Sequence, residues 1–216
     1  MKKNLKKRIS TSLILLFLLF LTFINNFIFL YCLIVIAVFS ILEFVKINSI
    51  IFKKNKVYYT LINFLFIVYI FFTFSALITL SSLVNFKIFI FLILLTCIAS
   101  DTGGYVFGKI FKGPKLTRIS PKKTISGSIG SFLSSLIVSF LLIYYLTNSI
   151  NFYILILGFL VSSGCQLGDL FFSYLKRKSS LKDTGNFLPG HGGIIDRVDG
   201  ILLGMPAGLS ALLAFY

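Results

Sequence analysis

Long apolar runs broken by short polar punctuation fill this chain from end to end. The runs cover residues 9–24, 27–45, 57–80, 86–100, 128–146, 152–168 and 200–216. Most approach the roughly 20 residues that a helix needs to cross the ~30 Å hydrocarbon core of a bilayer. Alternating ten-residue strands bounded by turn signals are absent, which argues against a membrane β-barrel. The pattern predicts an all-α, polytopic integral membrane protein of about seven transmembrane helices with polar loops. Two runs are short for a span, 9–24 and 86–100. The run 57–80 reads equally as one long helix or a broken pair.

The start of the chain needs separate treatment. A basic leader, 1–8, precedes the first apolar run, the arrangement of a secretory signal. No small-x-small cleavage pattern follows. The run instead meets Asn25-Asn26 and re-enters apolar sequence at Phe27, which predicts a tight membrane hairpin whose short first arm tilts or thins the bilayer.

Composition agrees with this reading. Of 216 residues 57% are hydrophobic and 12% charged, against roughly 25% charged in a soluble domain. The net charge of +15 would suggest nucleic acid on a soluble protein. Here the aromatics are mostly Phe inside apolar runs, so nucleic acid is set aside in favour of anionic lipid and the positive-inside rule. With the N-terminus in the cytoplasm, segments 1–8, 46–56, 101–127 and 169–199 hold 5, 4, 6 and 5 Lys plus Arg, and only Lys87 of the 21 falls on the far side. The expected location is a bacterial-type cell (inner) membrane, multi-pass, with the large polar segments cytoplasmic. Cys32, Cys97 and Cys165 each lie in an apolar run without metal-ligand spacing and read as small buried hydrophobes. No internal repeat is evident. The organisation expected is N-terminal helices over 1–100 and a functional region over 101–216.

Asp101, Asp169, Asp183, Asp196 and Asp199 all fall in the two large polar segments or at their helix junctions, and Glu43 sits near the inner end of the second run. Ionisable groups are expensive beside a membrane, so such clustering reads as a site.

The first segment, 100–128, places Asp101 at the end of a run, followed by Gly103 and Gly104, with 105–111 as an interfacial helix. Lys112, Lys115, Arg118, Lys122 and Lys123 then alternate with Gly, Pro, Ser and Thr. Backbone N–H groups and cations together suit polyphosphate. An ordinary basic cytoplasmic loop is the competing reading. There is no Walker A sequence. Thr124, Ser126 and Ser128 are candidate caps for the following helix.

In the second segment, 169–199, a continuing helix would set Asp169, Ser173 and Lys176 on one face, and Asp196 and Asp199 would share another. Mg²⁺ takes one or two carboxylates with phosphate oxygens and water, so three aspartates carried by two helices suit it. His191, the chain's one histidine, sits in Pro-Gly-His-Gly-Gly. Phosphate contact, turn structure and acid–base work are all open to it. A metal role is not favoured, because no second His or suitable Cys accompanies it.

The stretch from Ser173 to Asp199 resembles the signature of the phosphatidate cytidylyltransferases. It supplies Ser173, Lys176-Arg177, Lys182-Asp183, Gly185, Leu188, Pro189, His191-Gly192-Gly193, Asp196-Arg197 and Asp199 at the family's spacing. Asp101-Thr102-Gly103 and Ser120-Pro121-Lys122-Lys123-Thr124 resemble the family's upstream stretches. The resemblance covers roughly residues 97–216, and the chain is short for the family.

That resemblance implies a reaction in phospholipid biosynthesis: CTP and phosphatidate give CDP-diacylglycerol and pyrophosphate with Mg²⁺, and a second cation is compatible. It implies catalytic roles for Asp169, Lys176, Asp196 and Asp199, with Asp169, Asp196 and Asp199 holding metal. Substrate contacts would come from Asp101, Ser120, Lys122, Lys123, Ser173, Arg177, Lys182, Asp183, His191, Gly192, Gly193 and Arg197. A homodimer is implied by family likeness alone. Other readings fit less well. A CTP-dependent kinase of a polyprenol or another lipid would not need the full signature. The Asp-Gly…Ala-Arg pattern of CDP-alcohol phosphotransferases is absent. A transporter would want its charges at the bilayer midplane.

Overall fold

The computed structural model describes the backbone of residues 2–117, 119–121, 123–149, 152–185, 187 and 192–215, and the side chains of these except 2–9, 84, 85 and 215. Among the described residues there are seven helices and no strand beyond an isolated bridge between Lys115 and Thr124. They are α1 (Lys2–Ile24), α2 (Asn26–Ile51), α3 (Lys56–Ser81), α4 (Val84–Phe111), α5 (Ile125–Thr147), α6 (Tyr153–Lys178) and α7 (Ile195–Phe215). Six are long and apolar enough to cross a membrane, and the apolar part of α1, Ser10–Ile24, is shorter. The protein is a polytopic helical membrane protein. Large apolar side chains such as Phe27, Phe64, Phe71, Ile137 and Phe159 are exposed, a surface that suits lipid and not water.

Polar residues at the edges of the apolar runs set the helix ends. Asn25 Oδ1 accepts from the Phe27 N–H at 2.8 Å and starts α2 one residue after α1 stops. Asn55 Oδ1 accepts from the Tyr58 N–H at 3.3 Å and starts α3. Thr124 Oγ1 accepts from the Gly127 N–H at 3.1 Å and starts α5. Each satisfies a first-turn donor that has no partner within its own helix. The run 57–80 is one continuous helix, α3.

The chain forms two compact units. The first holds residues 1–84 and 175–198. In it α2 packs against α1 and α3. Phe44 stacks on Phe66 at 3.7 Å between centroids, beside the fully buried Ile47 and nearly buried Ile70. Buried Asn48 donates from Nδ2 to Asn63 Oδ1 at 2.9 Å, a polar tie between α2 and α3 of the kind that membrane helices use where hydrophobic attraction is weak.

The second unit holds 85–174 and 199–216. Here the structure corrects one expectation. The fourth span does not end at Ser100 with a separate interfacial helix after it; α4 runs unbroken through Gly103-Gly104 to Phe111. Its 28 residues at about 1.5 Å each reach roughly 42 Å, longer than the hydrocarbon core. The glycines are packing positions. A Cβ at Gly103 would lie 2.7 Å from the Gly130 carbonyl oxygen, and one at Gly130 would lie 3.0 Å from the Gly103 oxygen. With hydrogen in place of a side chain the backbones of α4 and α5 approach closely, and Ser134 Oγ donates to the Ala99 oxygen at 2.8 Å. Further polar ties join α4 and α5 to α6. Ser100 and Ser162 hydroxyls are 2.9 Å apart, Gln166 Nε2 donates to Ser162 Oγ at 3.2 Å, and Ser128 donates to Gln166 Oε1. Cys97 and Cys165 are fully buried, as expected, while Cys32 is half-buried.

Candidate functional site

Each unit carries one polar cluster. In the second unit the segment between α4 and α5 folds back on itself. Leu116 N–H donates to the Lys123 oxygen at 2.8 Å, Lys123 N–H to the Ser120 oxygen at 3.0 Å, and Ile125 N–H to the Pro114 oxygen at 3.0 Å. These bonds direct Lys123 toward α6, where its Nζ pairs with Asp169 Oδ2 at 2.5 Å. Asp169 lies on the same helix face as Ser173, whose hydroxyl is 3.5 Å from Asp169 Oδ1, the outer limit of a hydrogen bond. Asp101 on α4 and Asp199 on α7 complete the group. Both Asp169 and Asp199 lie within Coulombic reach of Asp101, as does the Lys123 ammonium. Gly200 lies against the same group: a Cβ there would stand in ordinary contact with Asp101 Oδ1, at 3.5 Å. Asp199 Oδ1 accepts from the Gly200 N–H at 3.0 Å.

The cluster of the first unit is built from the last residues of α6, the loop that follows, and the first turn of α7. Lys176 Nζ pairs with Asp196 Oδ1 at 2.8 Å, with the two side chains 17% and 8% exposed. Asp196 Oδ2 accepts from the Thr184 N–H at 2.8 Å and the Gly193 N–H at 3.0 Å, and lies 3.1 Å from the Thr184 hydroxyl. Gly192 has φ +89°, a conformation that disfavours any side chain. Lys178 lies over the Phe52 ring, 5.4 Å from its centroid, and fastens the end of α6 to the end of α2.

The residues singled out in the sequence divide accordingly. Asp101, Lys123, Asp169 and Asp199 come together in one unit, and Lys176, Asp196 and Gly193 in the other. Arg177, Lys182, Asp183 and Arg197 are exposed, and Ser120 serves the turn through its carbonyl. Lys122 and His191 lie outside the described residues, as do Arg118, Leu188 and Pro189. Among the described residues no three His, Cys, Asp or Glu side chains close on a point as metal ligands would. Asp196, expected among the ligands, has both oxygens engaged by protein donors. The Gly193 N–H, expected to face substrate, is taken by Asp196.

Two further residues matter: Glu43, which the sequence places among the clustered acids without a role, and Thr184, which it does not single out. Glu43 is 7% exposed and Thr184 1% exposed. Glu43 accepts from Thr184 Oγ1 at 2.6 Å, the Ile194 N–H at 2.8 Å and the Ile195 N–H at 2.9 Å. A lone carboxylate in an apolar helix was a signal for the first of them. Thr184 carries no signal, because an isolated threonine in a polar loop is ordinary.

Fold and clusters define a class: a polytopic helical membrane protein whose Asp101, Asp169, Asp196 and Asp199 gather near helix ends, with Asp169 and Asp196 paired to lysines. The family is narrower. Residues 53–215 match the cytidylyltransferase family, and the chain belongs to it. A phosphatidate cytidylyltransferase of Rickettsia typhi is 38% identical over 161 residues, which are 71% of this chain and 69% of that protein. The phosphatidate cytidylyltransferase of Helicobacter pylori is 43% identical over 124 residues, 57% of this chain and 46% of the relative. That of Staphylococcus haemolyticus is 43% identical over 109 residues, 50% and 42%. The chain thus spans about two thirds of the first relative's length and less than half of the other two.

Proposed function

We propose that this protein transfers the cytidylyl group of CTP to phosphatidate, giving CDP-diacylglycerol and pyrophosphate. The observation that carries this reading is the family match over 53–215, which takes in both polar clusters. A phosphate oxygen of the lipid attacks the α-phosphorus of CTP, and the bond from that phosphorus to the α–β bridging oxygen breaks as pyrophosphate leaves. The nucleophile is already an anion near neutral pH, so no strong general base is required. The barrier lies mainly in bringing two polyanions together, which fixed positive charge and positioning lower.

Asp101, Asp169 and Asp199 supply the carboxylate oxygens that a hard divalent cation prefers, not drawn in to ligating distance of one point, and the Lys123 ammonium lies beside them. These three would hold Mg²⁺, which when bound supplies charge neutralisation at the transferring phosphate. By family likeness Lys122, Arg177, Lys182 and His191 would each take phosphate charge, and Arg177 and Lys182 are exposed. Asp196 organises its loop through Lys176, Thr184 and Gly193. The active face is cytoplasmic in a bacterial inner membrane, supported by the distribution of Lys and Arg, so that CTP arrives from water while the lipid tails stay in the bilayer.

Two measurements test the proposal. Purified protein in detergent, supplied with radiolabelled CTP, phosphatidate and Mg²⁺, forms a lipid-soluble CDP-diacylglycerol; absence of product where an authentic enzyme works overturns the reaction. A reporter fused after Lys182 reads as cytoplasmic, and an external reading overturns the orientation.

A further inference from the structure

Three consecutive backbone N–H groups at the start of α7 are satisfied by two carboxylates. Asp196 reaches back to Gly193, and Glu43 takes Ile194 and Ile195. The first donors of a helix have no partner in their own helix, and their combined dipole attracts an anion. Usually a neighbouring Ser, Thr, Asp or Asn supplies the cap. Here the anion comes from α2, 151 residues earlier in the chain than Ile194. Glu43 makes no ion pair among the described residues. Its charge is held by two N–H groups and the Thr184 hydroxyl. The approach is tight. A Cβ at Gly185 would lie 2.6 Å from Glu43 Oε1, and one at Gly193 would meet the same oxygen at 2.6 Å. Both glycines leave space for the carboxylate.

Thr184 joins the two acids. Its hydroxyl lies 2.6 Å from Glu43 Oε2 and 3.1 Å from Asp196 Oδ2, and its N–H donates to Asp196. A hydroxyl has one proton to give, and the shorter contact assigns it to Glu43. Asp196 therefore keeps its place through Lys176 and the backbone, while Glu43 fixes Thr184 and the helix start around it.

We infer that Glu43 is a positioning residue for the transferase, capping α7 from another helix and thereby holding the signature loop and Asp196 in register. The inference rests on the reaction proposed above. It has a second consequence. The α7 N-terminus is filled by the protein's own carboxylate, so the substrate phosphates are held by side-chain cations and not by that helix end. Glu43 lies ahead of the residues matched to the family, 53–215.

The test uses the full chain in detergent with E43Q, T184V, T184S and the double variant E43Q/T184V. Gln keeps the length but offers one acceptor oxygen to donors that approach both carboxylate oxygens, so a backbone donor loses its partner. Misplacement of a reacting group by about 1 Å can cost about 10²-fold; E43Q is expected to lower kcat by about 30- to 100-fold per folded enzyme while KM for CTP stays within about threefold. T184V lowers kcat in the same sense, T184S restores most of it, and the double variant is hardly worse than E43Q alone, because both act through one contact. Hydrogen exchange read without substrate speeds at Ile194 and Ile195 in E43Q, with the α2–α3 amides unchanged. A kcat for E43Q within about twofold of wild type, additive losses in the double variant, or unchanged exchange at Ile194 and Ile195 overturns the positioning role. The exchange arm stands apart from turnover: a wild-type protein without product overturns the assigned reaction, not the cap.

Discussion

Asp196→Asn is expected to reduce turnover by at least about 10²-fold, on the scale seen when one preorganised electrostatic contact is removed from an active site. The reason is the count of donors around this side chain. Lys176 Nζ and two backbone N–H groups donate to its two oxygens. An amide replaces one oxygen with a donor, so Lys176 or the pair of backbone N–H groups must face an NH₂. Leaving a buried charged partner uncompensated costs several kcal/mol, and the loop relaxes to avoid it. The Lys176–Asp196 pair is then lost and Thr184 loses its fixed place. The protein still inserts in the membrane, because the apolar helices are untouched. Initial rates with radiolabelled CTP, normalised to folded protein by size-exclusion chromatography, check the prediction. Near wild-type activity would show that the Lys176–Asp196 pair contributes nothing to the reaction.

Asp169→Asn is expected to act through cation demand. Removing one of the three carboxylates at Asp101, Asp169 and Asp199 takes away a ligand and also frees Lys123, which pairs with Asp169 at 2.5 Å. The remaining site has less negative charge and an unpaired ammonium nearby, both unfavourable for a divalent cation. The Mg²⁺ concentration for half-maximal rate rises at least about tenfold, and kcat at saturating Mg²⁺ falls about 10²-fold, since neutralising transition-state charge contributes several kcal/mol. A Mg²⁺ titration of the initial rate measures both. The double variant with Lys123→Ala recovers part of the Mg²⁺ affinity, because it removes the ammonium that Asp169→Asn leaves unpaired. An unchanged Mg²⁺ dependence assigns the cation to other residues.

These two acids show how differently the clusters could be read in advance. Asp169, Ser173 and Lys176 share a helix face by their spacing alone, and α6 carries that spacing without interruption to Lys178. The signature from Ser173 to Asp199 was legible for the same reason: identities and intervals are local. What each acid does is not local. The spacing and the family resemblance set Asp196 and Asp199, three residues apart on α7, together with Asp169 as one metal-holding group. In the structure Asp196 belongs with Lys176 and Thr184, and Asp199 with Asp101 and Asp169. Spacing on one helix says which way two side chains point and nothing of what another helix brings to meet them.

The fourth span makes the same point about boundaries. The apolar run ends at Ser100, ahead of Asp101, and Gly103-Gly104 follow, residues that weaken an isolated helix by about 1 kcal/mol each relative to alanine. The contact with Gly130 and Ser134 of α5 reverses that preference, since only small residues permit the two backbones to approach.

By itself the sequence determined that this is a polytopic helical membrane protein and which family it joins. Those properties are set segment by segment, by the transfer of each apolar run from water to lipid and, for α2, α3 and α5, by a capping Asn or Thr just ahead of the helix. Only the tertiary structure decided that Glu43, one acid in an apolar helix, holds the start of α7. A buried carboxylate must find donors wherever the fold supplies them, and here the packing of α2 against a loop some 150 residues later supplies them.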